Sequence, residues 1–168
     1  MPIRPVLLVP DTRLKTACAQ VEDFDESLRE LVRDLEDTMA DNTGCVGIAA
    51  CQIGAMQRVA IVDTSFHRKH GALSQGRFVL VNPLLVRQGG AAIGREGCLS
   101  LPDFTANVQR SEEVSVEYQD INGEHRVIDA NGFEAVALQH EIDHLDGILF
   151  LDRVANLQTD LFPRKVKK

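Results

Sequence analysis

The sequence predicts an α+β fold in a single domain spanning residues 1–168. Three observations lead there: a helical period near the N-terminus, short β-branched runs through the middle, and a second helical period opening near residue 131. The length suits one hydrophobic core, and no internal repeat or low-complexity stretch divides the chain.

Residues 25–39 carry Leu28, Leu31, Val32, Leu35 and Met39 at the 3–4 spacing of an amphipathic helix, with charged residues between them. Asp23, Asp25 and Glu26 stand where its N-terminus falls, as the helix macrodipole favours. Residues 58–63 and 78–86 are short aliphatic or β-branched runs bounded by turn residues and read as strands. Residues 64–76, with Gly71 and Gly76, read as a loop. Val114, Val116 and Tyr118 alternate with Ser115, Glu117 and Gln119, which predicts a strand with one solvated face. Asn122-Gly123 predicts a two-residue hairpin turn, with Val127 and Ile128 on the return strand. Asn131 followed by Glu134 has the spacing of a capping box; the helix it opens should run to about Leu145 and stop near Gly147.

Composition narrows the function classes. A formal net charge of −7 and a pI near 5.2 argue against specific nucleic-acid binding. No stretch approaches the roughly 20 apolar residues of a membrane span. Val6-Leu7-Leu8-Val9 is too short for a secretory signal, so the expected location is the cytosol, with no membrane partner. Cys18, Cys45, Cys51 and Cys98 are therefore expected as free thiols, serving as core filler or as chemistry.

The most specific signal is His140-Glu141-Ile142-Asp143-His144, an HExxH motif on the last predicted helix. At about 100° per residue, His144 lies about 40° around the axis from His140 and one turn along, so both imidazoles can reach one ion. Glu141 lies about 60° from His144, where it can address water without being a ligand. Two nitrogen donors with an adjacent carboxylate base is what metal-dependent hydrolysis requires. Phe133, Val136 and Ala137 share the face of the histidines, while Leu138, Ile142 and Leu145 form a second stripe. A helix buried on two sides rarely carries two histidines and a glutamate inward without a purpose.

A catalytic ion needs a third protein ligand. In the extended pattern HExxHxxGxxH, Gly147 matches the glycine but Phe150 takes the last histidine's place. His125 follows a hairpin too closely, and His67 and His70 fall in the polar loop, where they should be solvated. Cys98, within Glu96-Gly97-Cys98-Leu99-Ser100, stands in what reads as an irregular segment; it is a good candidate ligand, the alternative being a small buried thiol. The small-residue segment 44–52 would let a ligand approach the backbone, or would pack tightly against a helix.

Three segments in this order resemble the motifs GxGLAAxQ, EGCLS and QHExDHL of the peptide deformylases, and the resemblance covers nearly the whole chain. They stand here as residues 45–52, 96–100 and 139–145. The second and third match fully; in the first, Cys45 replaces a glycine and Ile48 a leucine. The resemblance implies antiparallel or mixed sheets wrapped around the HExxH helix, with a helical region N-terminal to them. It implies removal of the formyl group from the N-terminal methionine of nascent polypeptides. The ligands would be Cys98, His140 and His144, with water in the fourth position and Glu141 taking its proton and passing it to the leaving amine. The Gln52 amide and the Leu99 backbone N–H would stabilise the oxyanion, one such donor being worth about 3 kcal/mol. Gly47 would pair with the substrate backbone, and Val46, Leu99, Phe133, Val136 and Ala137 would line the methionine pocket. The ion would be Fe(II), with nickel, cobalt or zinc as substitutes, although a Cys-His-His set alone suggests zinc. The basic tail, residues 163–168, would be a solvated end or a ribosome contact. Competing readings are a zinc peptidase on the same helix and a closed structural metal site.

Overall fold

The computed structural model describes residues 4–164. Helix α1 spans Glu26–Asp41, two residues beyond the predicted end, and Asp25 caps it by accepting from the Leu28 N–H. Its predicted apolar stripe is buried: Leu28, Leu31, Val32, Leu35 and Met39. Strands β1 (Gly47–Ala49), β2 (Val59–Asp63), β3 (Arg77–Gly89), β6 (Glu113–Gln119) and β7 (His125–Asn131) form one antiparallel sheet in the order β1-β2-β3-β6-β7. β4 (Ala92–Cys98), β5 (Leu101–Arg110) and β8 (Leu161–Pro163) form a second, three-stranded sheet. Helix α2 spans Gly132–Leu145, and a short helix, α3, spans Leu157–Asp160. The class is α+β, as predicted.

The β1–β2 end of the first sheet is covered on both faces. Val59 and Ile61 of β2 face α1, whereas Val62 packs with Leu80, Val116 and Ile128 against Ala135, Leu138 and Ile142 of α2. β2 is consequently buried along its whole length, which is why it reads as a continuous apolar run rather than an alternating one. α2 is buried nearly all round, consistent with its two apolar stripes.

Several local expectations are corrected. Ser115 is buried, not solvated: Arg87 donates to its hydroxyl, which in turn donates to Asp129 across the strand pair. Five residues connect β6 to β7 rather than two, and the Asp120 N–H donates to the Glu124 carbonyl to leave a three-residue tip. The Gly123 N–H donates to the Asp120 carbonyl, and only Gly123 takes a positive φ (84°). The sequence therefore forms a turn followed by a left-handed glycine, instead of the double left-handed turn that Asn-Gly suggests. Asn131 is the N-cap of α2, but its side chain makes no cap bond. Glu134 turns outward to accept from the Gln75 N–H (2.9 Å) and side-chain amide (2.7 Å), tying loop 64–76 to the helix. Cys98 ends a strand rather than lying in an irregular segment, next to a register shift between Glu96 and Cys98. The second sheet escaped prediction because β4 is mostly exposed, β5 alternates irregularly, and Gly94, Gly97 and Pro102 interrupt them, leaving no apolar period.

Candidate active site

Cys98, His140 and His144 converge although α2 and β4 are far apart in sequence. One donor atom from each lies within 4.8 Å of the others, and this is the one such cluster among the described residues. His144 Nε2 is 3.3 Å from Cys98 Sγ. The imidazole rings stand edge to face, 5.0 Å between centroids, as residues one helical turn apart must if both aim at a common point. His67, His70 and His125 do not join them. His125 is exposed on β7, while His67 and His70 are half-buried, contrary to expectation, and stack on Phe133 at 4.5 and 4.6 Å. Phe150 supports His140 from the side, its ring centroid 6.1 Å away and its side chain buried.

Behind the cluster runs a buried charge network that the motif reading did not assign. His140 Nδ1 pairs with Glu96 Oε1 at 2.9 Å, which fixes the ring and leaves Nε2 to face Cys98 and His144. Arg110 donates to both Glu96 oxygens at 2.9 Å and also to Asp143, which pairs in turn with Arg153. Burial alone would raise the Glu96 pKa; the bonds from His140 and Arg110 outweigh it and hold the carboxyl at about 2. The motif letters did carry Glu96 and Asp143, but no periodicity marks Arg110 as their partner.

Glu141 stands apart from this network. Its side chain is buried, and Oε1 has no hydrogen-bond partner. Burial raises its pKa to about 7. Its other oxygen lies over Gly47, where an added Cβ would come within 2.7 Å. Gly47 thus provides the close helix contact that the small-residue segment suggested. β1 is the edge strand of its sheet, so Gly47 also lies where an extended peptide could pair.

Gln52 is fixed by three groups. Its carbonyl accepts from the Ala49 N–H, and its amide nitrogen lies 3.1 Å from Ser100 Oγ and 3.5 Å from Cys98 Sγ. Leu99 sits at the two-residue turn joining β4 to β5. A cavity of about 330 Å³ opens over these groups. Val46, Gly47, Gln52, Leu99, Phe133, Val136 and Ala137, all singled out from sequence, line it together with Cys98, His140 and Glu141. Cys45 also lines it as a neutral thiol: burial, reinforced by Glu141, pushes its pKa up to about 12, and it donates to the Gly47 carbonyl. All four cysteines are free.

These residues fit a divalent metal ion. Burial disfavours a charged His140, yet the Cys98 and Glu96 partners raise its proton affinity well above the ordinary value, so a cation there would displace a proton. Burial drives His144 the other way, toward the neutral form that ligates. Glu141, with its orphaned oxygen, lines the same cavity as Cys98 and His140 but is not part of the cluster. Three donors beside a free carboxylate differ from a structural site, which four protein ligands would close.

Fold and site therefore define an α+β domain with an HExxH helix whose two histidines meet a cysteine, a donor set suited to metal-dependent hydrolysis. Comparison with known proteins makes the class specific. A family model described as polypeptide deformylase matches residues 3–160, and the chain belongs to that family. It is 40% identical to the peptide deformylase of Acidobacterium capsulatum, over all of this chain and 96% of that protein. It is 39% identical to that of Rhizobium meliloti, covering 94% of that protein. Among solved structures, the peptide deformylase of Legionella pneumophila superposes with a TM-score of 0.84 at 41% identity, over 94% of this chain and 89% of that one. A Met-Ala-Ser-bound class I type b peptide deformylase from Acinetobacter baumannii gives 0.84 at 34% identity, over 91% of this chain and 99% of that one. No helix among the described residues is long and apolar enough to cross a membrane.

Proposed function

We propose that the chain removes the formyl group from the N-terminal formyl-methionine of nascent polypeptides, with Cys98, His140 and His144 holding one divalent ion. The observation that supports this most is the orphaned, buried Glu141 oxygen in the same cavity lining as Cys98 and His140, two of the three converging donors. When bound, the ion supplies Lewis acidity, activating water and polarising the formyl oxygen. Glu141 takes a proton from the attacking water and delivers it to the departing amine. The Gln52 side-chain amide and the Leu99 N–H donate to the oxygen as it becomes negative. Val46, Leu99, Phe133, Val136 and Ala137 receive the methionine side chain, whose flexible thioether suits such walls. The Gly47 backbone pairs with the peptide and fixes its register.

The test is release of free amine from formyl-Met-Ala-Ser by the Ni(II) or Fe(II) form. Glu141→Ala should reduce turnover by about 10³-fold or more while metal content stays at the wild-type level. Retained turnover overturns the role of Glu141, and an inactive wild type overturns the reading.

The native ion in this proposal is Fe(II), replaceable by nickel, cobalt or zinc, because thiolate and imidazole donors suit all four. Aerobic purification should then cost activity through oxidation of the ferrous ion or its thiolate, and equal activity from aerobic and anaerobic preparations would refute iron. The proposed setting is the cytosol. A ribosome contact through the basic tail concerns residues 163–168, of which 165–168 lie outside the described residues; cosedimentation with ribosomes, with and without the last six residues, tests it.

A further inference from the structure

The mouth of the pocket carries two arginines that the deformylation chemistry does not use. Arg95 and Arg164 both line it, on the side formed by the second sheet. Arg95 is held in place: its guanidinium lies 3.8 Å from the Phe162 ring centroid, and its Nε and Nη1 donate to Asn107 (3.2 Å) and Thr105 (3.3 Å). These bonds leave the Nη2 donors for a ligand. Arg164, read from sequence as part of a solvated tail, is anchored by its backbone N–H on the Asp103 carbonyl (2.7 Å). Its guanidinium covers Gly97, where Nη2 leaves no room for a Cβ. It thus sits one residue from Cys98.

Among the described residues neither arginine has a carboxylate partner, although the chain carries a net charge of −7 and most other arginines are paired. The acids lining the cavity are Glu96 and Glu141. Glu96 is saturated by Arg110 and His140, and Glu141 is turned inward over Gly47. The rim is therefore cationic, whereas Val46, Leu99, Phe133, Val136 and Ala137 give the cavity an apolar wall. From Cys98 back to Arg95 is three residues of strand, about 10 Å at most, which matches the reach of the third residue of an extended peptide whose formyl carbon is at the cluster: about 7 Å for two residue steps plus the two bonds from the formyl carbon to the first Cα.

We infer that Arg95 and Arg164 form a carboxylate-recognising subsite that favours formylated peptides with an acidic side chain at the third position. The inference rests on the deformylation reading and adds a substrate preference to it. The test compares kcat/KM for formyl-Met-Ala-Glu-amide, formyl-Met-Ala-Ser-amide and formyl-Met-Ala-Lys-amide; amidation removes the competing terminal carboxylate. At low salt the Glu peptide should exceed the Lys peptide about five- to tenfold, chiefly through KM, with Ser between. High salt should compress the ratio. The Arg95→Gln/Arg164→Gln double variant should bring it close to one, and Arg164→Glu should lower or invert it. Equal turnover of all three peptides by the wild type, or a ratio unchanged in the variants, overturns the inference while leaving deformylation standing. Absence of turnover on every peptide overturns both.

Discussion

Replacing Arg110 by Met tests whether the buried charge network positions the metal-binding cluster. The Arg110 side chain is 3% exposed and joins Glu96 and Asp143, which are 7% and 9% exposed. Methionine keeps the aliphatic volume but removes both bonds to Glu96 and the bond to Asp143. Asp143 retains Arg153, so Glu96 is the group left buried with only His140 as a partner. Breaking a buried pair in this way costs about 3–5 kcal/mol. The Glu96 pKa bounds the effect: the drop from 4.5 to about 2, produced by His140 and Arg110 together, corresponds to roughly 3 kcal/mol favouring the charged form in the folded state, of which the variant removes the Arg110 share. Because this folded-state pKa is depressed, its contribution is present above pH about 4.5 and is lost as pH falls toward 2. Urea unfolding should therefore show the variant less stable by up to about 3 kcal/mol at pH 7, with the gap closing below pH 4.5. Metal affinity, read by chelator competition, should fall about 10- to 100-fold as His140 loses its fixed orientation. A loss under 1 kcal/mol with unchanged metal affinity would refute the reasoning.

Two further outcomes follow from distances at the site. Gly47→Ala must push Glu141 aside, since the new Cβ would meet Oε2 at 2.7 Å and Cγ at 2.9 Å; kcat on formyl-Met-Ala-Ser should fall about 10- to 100-fold with metal content unchanged, and wild-type turnover would contradict the contact. Cys45, its thiol pushed up to about 12, should be alkylated by iodoacetamide at pH 8 about a hundredfold or more slowly than free cysteine. Labelling at the free-cysteine rate, followed by mass spectrometry of the residue 45 peptide, would show that it is not shielded.

Much of the site was legible because its spacing is local. His140, Glu141 and His144 are set by helical geometry alone, and the apolar residues Phe133, Val136 and Ala137 fall on their face by the same period. The apolar stripe of helix α1 was legible for the same reason, although the period did not mark Asp34 and Thr38, which are buried beside it. Cys98 required a comparison of motifs, because only tertiary packing brings β4 against α2. The second sheet was missed where exposed residues and glycines erase the two-residue period. The Glu96–Arg110–Asp143 network was missed because a buried arginine looks no different in sequence from a solvated one. Glu134 misled by fitting a local pattern, the capping box, when a better partner lay in a distant loop at Gln75. His67 and His70 looked solvated because their neighbours are polar, yet Phe133 gives them a surface to stack on.

X-ray absorption of the Co(II)-substituted protein bears on the central claim most directly. The account predicts one cobalt per chain with one sulfur and two imidazole ligands, the remaining coordination being light, exchangeable atoms of water. A spectrum with no sulfur ligand, or with a fourth protein ligand closing the site, would contradict it.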